Sequence, residues 1–217
     1  MIGVPEQEKR AVARAAAALV EDGMLLGLGT GSTISHLLPA LAERGFTSLR
    51  CVSTSPRTEE AARALGIPVE PFDPITRLDL AIDGADQVDP DGWLIKGGGA
   101  AHTREKVVAR TAARFVVVVS SDKVVEALRP SVPLELLAFG LASTLEAVGP
   151  ATLRAGTPRT PDGGVIADHH GTLEDLAGLA GRLAAVPGVI EHGLFPPEMV
   201  STVLIARGDT VERREIS

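Results

Sequence analysis

The chain has 217 residues and a formal net charge of −7 at pH 7; 45% of its residues are hydrophobic and 3% are aromatic. This length fits one large or two small globular domains with a core that needs no disulfide or metal. The acidic balance and the scarcity of aromatic side chains argue against nucleic-acid binding, which uses positive charge and stacking surfaces. The single cysteine, Cys51, excludes an internal disulfide and a cysteine-based zinc site, and we expect it to be a small buried hydrophobic residue.

The sequence carries no pattern that would direct the chain to a membrane. Its N-terminus lacks the cationic and apolar pattern of a signal peptide. No apolar run approaches the roughly 18 residues that span a bilayer. We therefore expect a cytoplasmic protein with no membrane partner.

The first half of the chain alternates between helical and strand patterns. Apolar spacing predicts helices at 9–21, 32–44, 57–65 and 100–110, and short apolar runs predict strands at 24–28, 49–53, 67–69, 78–82, 94–95 and 115–119. Strands that alternate with helices indicate βαβ units and a Rossmann-like α/β domain with a parallel sheet. The five successive apolar residues at 115–119 are typical of a strand buried on both faces.

The second half of the chain follows a different pattern. Strands are predicted at 132–137, 151–154, 165–168 and 203–206, and helices at 141–148 and 172–185, with Thr172 as a candidate N-cap. The β-α-β-β-α-β order predicts a smaller, ferredoxin-like α+β domain, whose last strand could instead return to the first sheet. We therefore predict an α/β catalytic domain made of residues 1–128 and 200–217, and a small domain made of residues 129–199.

Polar clusters follow several of the predicted strands. They lie at 30–33, 53–55, 83–86, 96–99 and 120–123. Ligands of open parallel sheets bind at the carboxyl ends of the strands. We therefore expect these five segments to converge on one rim and to form a binding site there.

The segment GLGTGST at 27–33 lies between a predicted strand and a predicted helix. Glycines at such a point let the backbone approach an anion, which the helix N-terminus attracts; alternatively, the segment is only a tight turn. It is not a P-loop, because no Gly-Lys-Ser/Thr follows, and Ser32 replaces the third glycine of the dinucleotide fingerprint. A phosphate therefore fits this loop better than a nicotinamide cofactor.

Two further segments carry the residues of acid/base chemistry. In DGAD at 83–86, Asp83 and Asp86 suit proton transfer on a small polar ligand, although an Asp-Gly turn with a helix cap is an equal alternative. In KGGGAAHTRE at 96–105, three glycines beside Lys96 predict an oxyanion site. Glu105 can either reach back into this cleft or complement the helix dipole, and we expect His102 to make local hydrogen bonds.

The remaining ionisable residues give weaker signals. Lys9 and Lys123 either complete an anion site or are solvated surface cations. His169, His170 and His192 lack a second pair of ligands at metal-binding spacing, so we expect them to be structural and predict no metal site.

Together, GLGTGST, DGAD and KGGGAAHTRE, in this order and spacing, resemble the ribose-5-phosphate isomerase family, type A. The resemblance covers nearly the whole chain and includes VPGVIEHGLF at 186–195. It implies interconversion of D-ribose 5-phosphate and D-ribulose 5-phosphate through an enediolate, in the non-oxidative pentose phosphate pathway. It also implies no metal, no organic cofactor, and a homodimer or homotetramer in which the small domain serves oligomerisation.

The resemblance also implies roles for individual residues. Glu105 would be the base, Asp83 would assist ring opening, and Asp86 would hold hydroxyl groups. Lys96 would stabilise the oxyanion together with the glycine amides. The implied substrate-binding residues are Lys9, Thr30, Gly31, Ser32, Thr33, Gly84, Ala85, Gly97, Gly98, Gly99 and Lys123.

Four features depart from the family pattern. Gln87 stands where an acidic residue is common, and His102 stands where an apolar residue is common; either could tune the site. The turn at 160–164 lacks the usual Asp-Asn-Gly-Asn sequence, and Ala138-Phe139 replaces a proline-containing stretch; both lie in the predicted small domain and bear on oligomerisation more than on chemistry. Another sugar-phosphate enzyme, such as a deaminase or lactonase, is the alternative enzyme. A sugar-phosphate sensor is the alternative that is not an enzyme; it would keep the phosphate loop but would not need Glu105.

Overall fold

A computed structural model describes residues 4–216; residues 1–3 and 217 of the predicted α/β domain lie outside the described residues. The helices are α1 (Val4–Ala17), α2 (Ser32–Ala42), α3 (Pro56–Ala64), α4 (His102–Thr111), α5 (Leu141–Val148) and α6 (Leu176–Ala184). The strands are β1 (Leu25–Leu28), β2 (Arg50–Ser53), β3 (Leu80–Asp83), β4 (Gln87–Val88), β5 (Leu94–Ile95), β6 (Phe115–Ser120), β7 (Val132–Leu136), β8 (Ala151–Leu153), β9 (Val165–His169), β10 (Val189–His192), β11 (Leu194–Phe195), β12 (Thr202–Arg207) and β13 (Thr210–Glu215). Short 3₁₀ turns lie at Ser121–Lys123 and Pro197–Met199.

The larger sheet has six strands in the order β13-β12-β6-β3-β1-β2, all parallel except the terminal strand β13. Side chains alternate between its two faces. Val116 and Val118 of β6 pack toward the core beneath α1 and α2, whereas Val117 and Val119 pack toward α4. The Rossmann-like prediction and the doubly buried strand at 115–119 are therefore confirmed.

The smaller sheet is antiparallel, with the order β10-β7-β9-β8. Helices α5 and α6 complete a β-α-β-β-α-β unit, which is the predicted ferredoxin-like arrangement. Its fourth strand is β10. The predicted strand at 203–206 is instead β12, which pairs with β6 in the larger sheet, as the alternative prediction allowed.

Two local predictions were wrong. The predicted strand at 67–69 is only a single bridge between Val69 and Cys51. The helix predicted from residue 172 begins at Leu176, because the Asp175 carboxylate accepts a hydrogen bond from the Gly178 amide and caps it instead of Thr172.

A third sheet joins the two parts of the molecule. It contains β4, β5 and β11 in the order β11-β5-β4. Leu194 of β11 pairs with Ile95 of β5, immediately before Lys96. The predicted domain made of residues 1–128 and 200–217 contains β4 and β5, whereas the predicted domain made of residues 129–199 contains β11. The predicted boundary therefore divides this three-stranded sheet, and it stays a proposal.

The structure also tests what we expected of Cys51 and of membrane-spanning segments. Cys51 is fully buried, as expected, and burial raises the pKa of its thiol to about 12. Within residues 4–216, none of the helices has the length and hydropathy needed to cross a bilayer.

Two glycine-to-alanine changes should have opposite effects on the stability of the fold, because only one of the two glycines lies in a packed contact. A Cβ at residue 27 would lie 2.6 Å from Cγ1 of Val108, so Gly27→Ala should destabilise the fold by about 1–3 kcal/mol through overpacking. A Cβ at Gly181, on the exposed side of α6, would meet no atom within 4 Å. Gly181→Ala should therefore stabilise the fold by about 1 kcal/mol, because alanine is the better helix former. Urea unfolding of both variants checks the prediction; effects of the same sign would contradict it.

Candidate active site

A cleft of about 230 Å³ opens at the carboxyl edge of the parallel sheet. Four of the five polar segments predicted to meet there supply its walls, because parallel strands end at the same edge. The cleft is lined by Pro5, Lys9, Thr30, Gly31, Ser32, Thr33, Gly84, Ala85, Asp86, Lys96, Gly97, Gly98, Gly99, Glu105, Val118, Val119, Asp122 and Lys123. Every residue predicted for the site lies on this wall except Asp83.

The fifth segment, 53–55, supports the wall from behind. The Ser55 hydroxyl accepts a hydrogen bond from the Thr58 amide and so caps α3. It also lies 2.9 Å from the hydroxyl of Thr30, to which the Thr58 hydroxyl donates as well. Residues 53–55 therefore reach the same rim, as predicted, but they do not line the cleft, since the Ser55 hydroxyl contacts Thr30 from behind.

A buried cluster of three charges lies at the inner end of the cleft. The Lys96 Nζ is 3.0 Å from Oδ2 of Asp83 and 3.1 Å from Oε2 of Glu105, and it donates a hydrogen bond to the carbonyl of Gly84. All three charged side chains are at most 5% exposed. One ammonium group thus serves two carboxylates in a place from which water is largely excluded.

Burial and the neighbouring charges set the pKa values of this cluster. Burial raises the pKa of Glu105 to about 8, and the negative charge of Asp83 adds to the rise, although Lys96 opposes it. Burial also raises the pKa of Asp83, against the pull of Lys96. Burial alone would lower the pKa of Lys96, but the two carboxylates outweigh it and raise that pKa. A carboxyl group with a pKa near neutrality can both take and return a proton.

Asp83 reaches its position because residue 29 has no side chain. Its Oδ1 accepts hydrogen bonds from the amides of Thr30 and Gly84, at 3.1 and 2.7 Å. A Cβ at Gly29 would lie 2.0 Å from the Asp83 carboxyl carbon. Asp83 therefore lies behind Lys96 and holds its ammonium group. Of the three charged residues in the cluster, Lys96 and Glu105 line the cleft and Asp83 does not.

The glycines at 97–99 form the wall opposite Asp86. Gly97 has a φ of +108°, which favours glycine, and a Cβ there would lie 2.6 Å from Nδ1 of His102. The Gly98 amide donates a 2.7 Å hydrogen bond to Oδ2 of Asp86. This amide therefore orients the Asp86 carboxylate, which differs from its expected role as an oxyanion donor.

The outer end of the cleft is suited to an anion. Residues 30–33 lead into the N-terminus of α2, whose first-turn amides have no partner within the helix and carry the positive end of its dipole. The first turn holds no acidic residue. Lys9 of α1 and Lys123 of the 3₁₀ turn lie on the same wall. Backbone donors and two cations thus line the same cleft as the 30–33 loop, with Lys123 3.1 Å from the Asp122 carboxylate.

The sequence analysis overlooked Glu8, which supports this end from inside. Its buried carboxylate accepts hydrogen bonds from the Ser121 amide and hydroxyl and from the Gly208 amide. Burial would raise the pKa of Glu8, but these hydrogen bonds outweigh it and lower that pKa. A usable signal existed, because Glu8 shares the helical spacing of buried Val12 and Ala16 and so interrupts an apolar face.

None of the positions that depart from the family pattern lies on the cleft wall. The Gln87 side chain exchanges two hydrogen bonds with the backbone of Arg129. His102 is buried, and burial lowers the pKa of its imidazole to about 4, so it is neutral. Across residues 4–216, no group of three His, Cys, Asp or Glu side chains could hold a metal ion.

The family match and the similar sequences both point to one family. Residues 50–210 match the family Ribose 5-phosphate isomerase A (phosphoriboisomerase A). The chain is 44% identical to ribose-5-phosphate isomerase A of Nitrobacter hamburgensis over 205 residues, which cover 86% of this chain and 88% of that protein.

Solved structures agree with the sequence match. The ribose 5-phosphate isomerase A of Neisseria gonorrhoeae superimposes with a TM-score of 0.94 and 28% identity over the full length of both chains. A D-ribose-5-phosphate isomerase solved in complex with phospho-erythronic acid gives a TM-score of 0.92 and 33% identity, covering 99% of this chain and all of that chain. The chain belongs to the ribose-5-phosphate isomerase A family.

Proposed function

We propose that this chain interconverts D-ribose 5-phosphate and D-ribulose 5-phosphate by moving a proton between C2 and C1, as an isomerase of the pentose phosphate pathway. Membership of the family supports the reaction. The observation that carries the mechanism is the 3.1 Å contact between the Glu105 carboxylate and the Lys96 ammonium at the inner end of the cleft. It joins a base and a cation, which are the two groups that enolisation requires.

The anion-binding end supports a phosphorylated substrate. In the proposal, the amides and hydroxyls of residues 30–33 bind the phosphate together with Lys9 and Lys123. A phosphate held there would direct the sugar carbons toward Glu105. Phospho-erythronic acid, found in the related structure, likewise carries a phosphate at one end and a planar carboxylate at the other. The carboxylate resembles an enediolate in shape and charge.

Ring opening precedes the isomerisation, because the substrate sugar is mainly cyclic. When the bond between C1 and the ring oxygen breaks, the C1 hydroxyl gives up its proton to form the carbonyl and the ring oxygen takes one up. The Lys96 ammonium faces the cleft and can donate a hydrogen bond to that oxygen. We assign Asp83 to this step through Lys96, whose charge and position it fixes from behind. The Asp86 carboxylate, oriented by the Gly98 amide, accepts hydrogen bonds from the sugar hydroxyls.

In the isomerisation step, Glu105 removes the proton from C2 of the open-chain aldose and the C1 carbonyl oxygen becomes an enediolate oxyanion. The Lys96 ammonium stabilises this charge, as do the Gly97 and Gly99 amides. A hydroxyl proton then moves from O2 to O1, and Glu105 returns its proton to C1 to give the ketose. The proposal assigns no metal and no organic cofactor to these steps, because a buried ammonium group supplies the positive charge.

Replacement of the base tests the mechanism. Glu105→Gln should lower kcat by about 10²–10⁴-fold, because general-base catalysis is lost, and should change KM little. Lys123→Met is the contrasting variant and should raise KM by about 10-fold with little change in kcat, because it weakens only phosphate binding. EDTA-treated enzyme is mixed with ribose 5-phosphate, and ribulose 5-phosphate formation is followed.

Arg10→Met is the matched control for loss of charge, since Arg10 lies next to Lys9 but does not line the cleft. Turnover that survives Glu105→Gln would move the base to another carboxylate. No turnover by the unaltered chain, with phosphate binding intact, would favour a sugar-phosphate sensor.

The raised pKa of Glu105 predicts the pH dependence of the reaction. The base acts only when deprotonated, so kcat/KM should rise about tenfold per pH unit below the pKa of about 8 and level off above it. Asp83→Asn removes the negative charge that adds to this rise, so the inflection should move to lower pH. A rate that is flat from pH 6.5 to 9 in the unaltered enzyme would contradict the assignment.

The proposal includes a homodimer or homotetramer in the cytoplasm, formed through the small domain. Phe139 is 92% exposed, and Leu137 and Ile190 of the same domain are exposed as well. We place the interface at these exposed apolar side chains. Light scattering should give two or four times the chain mass of 22.5 kDa, and Phe139→Ser should reduce it. A monomer would refute this part of the proposal.

A further inference from the structure

The side chains that flank Glu105 in α4 all contact the segment from residue 135 to residue 192. These contacts join His102 to the Glu191 carbonyl, Thr103 to the Glu135 carboxylate, Arg104 to both carboxylate oxygens of Asp162, and Lys106 to Glu191 and His192. The opposite face of α4 packs on the parallel sheet, where Val108 approaches Gly27. The helix that carries the base is therefore held between the two sheets.

Lys106 contributes a largely buried ion pair to these contacts. Its Nζ donates hydrogen bonds to Oε1 of Glu191 at 2.7 Å and to the His192 carbonyl at 2.6 Å. Its side chain is 12% exposed. Burial lowers the pKa of Lys106, whereas the Glu191 carboxylate opposes that shift. This ammonium group ties α4 to residues 191 and 192, because hydrogen bonds that involve a charged group are stronger than those between neutral groups.

The same stretch of chain also holds Lys96. The Lys96 amide donates a 2.9 Å hydrogen bond to the Gly193 carbonyl, and the Gly193 amide donates to Pro133 at 2.7 Å. A Cβ at Gly193 would lie 2.1 Å from the Lys96 carbonyl oxygen, so only glycine permits this approach. The Phe195 ring then lies against both lysines, with Nζ of Lys96 5.6 Å and Nζ of Lys106 4.8 Å from its centre.

We propose that residues 191–195, the strap, position the catalytic pair, and that Lys106 is a positioning residue for Glu105. The strap fixes Lys96 through Gly193 and Glu105 through the neighbouring Lys106. It thereby sets the 3.1 Å distance between the carboxylate and the ammonium group. This inference rests on the proposed function of Glu105 and Lys96, and it gives the strap a catalytic purpose beyond joining the two sheets.

Lys106 should affect the rate of the reaction because it helps to fix the position of Glu105. Displacement of a catalytic group by about 1 Å can cost on the order of 100-fold in rate, even when the altered residue does not touch the substrate. Lys106 does not line the cleft. Its removal should therefore lower kcat and leave KM nearly unchanged, because the phosphate end lies elsewhere.

The test compares Lys106→Met with the double variant Lys106→Met/Glu191→Gln. The single variant leaves the Glu191 carboxylate without its cation and should lower Tm. The double variant removes both charges and should recover most of the loss in Tm, since a buried ion pair adds little net stability. Its kcat should stay about 10–100-fold below that of the unaltered enzyme, with KM within about twofold. Arg63→Met breaks an exposed ion pair with Glu59 and is the control, expected to change neither quantity.

A crystal structure of the double variant completes the test. We expect the distance between Glu105 Oε2 and Lys96 Nζ to exceed the present 3.1 Å. A kcat that recovers together with Tm, or an unchanged distance, would overturn the proposal and leave Lys106 as a purely structural residue. If the unaltered chain proves inactive, the proposed function fails, and the distance still decides whether the strap positions the pair.

Discussion

The site depends on one interaction, the contact of a single buried ammonium group with two carboxylates. Lys96 lies 3.0 Å from Asp83 and 3.1 Å from Glu105, and water reaches none of them freely. Two carboxylates so close together in a poorly solvated place cannot both carry a full charge without a cation. The two carboxylates therefore keep Lys96 charged, while burial, together with the charge of Asp83, raises the pKa of Glu105 to about 8. A base and a stabilising cation arise from the same arrangement.

Glycines make this concentration of charge possible. Gly29 leaves space for the Asp83 carboxyl group, Gly98 for that of Asp86, and Gly193 for the Lys96 carbonyl. At each position an added Cβ would lie less than 3 Å from the atom it meets. The glycine-rich motifs are thus explained by close approach within the protein as much as by contact with a ligand. This distinction matters for Gly98, whose amide is already used by Asp86.

The site is assembled by both sheets. The parallel sheet presents Asp83 and the 30–33 loop at its carboxyl edge, as strand order predicted. The smaller sheet contributes no residue to the cleft wall, yet its edge strand β10 and the chain that follows it hold Lys96 and the helix of Glu105. The small domain therefore supports the site, in addition to the association between copies of the chain that we propose for it.

The sequence by itself determined the parallel sheet and most of the ferredoxin-like unit, because apolar periodicity and strand-to-helix glycines are local signals; the strand β10 of that unit was not predicted. The residues of the cleft wall followed from the motifs shared with the family. It did not determine that 53–55 supports the Thr30 loop without lining the cleft, nor that Asp83 lies behind Lys96. Glu8 was overlooked, and no role was predicted for the strap, because their partners are distant in sequence; Lys106 and Glu191 are 85 residues apart. Tertiary structure alone decided these points, since burial and long-range pairing give a side chain its charge state and direction, and neither is encoded in local spacing.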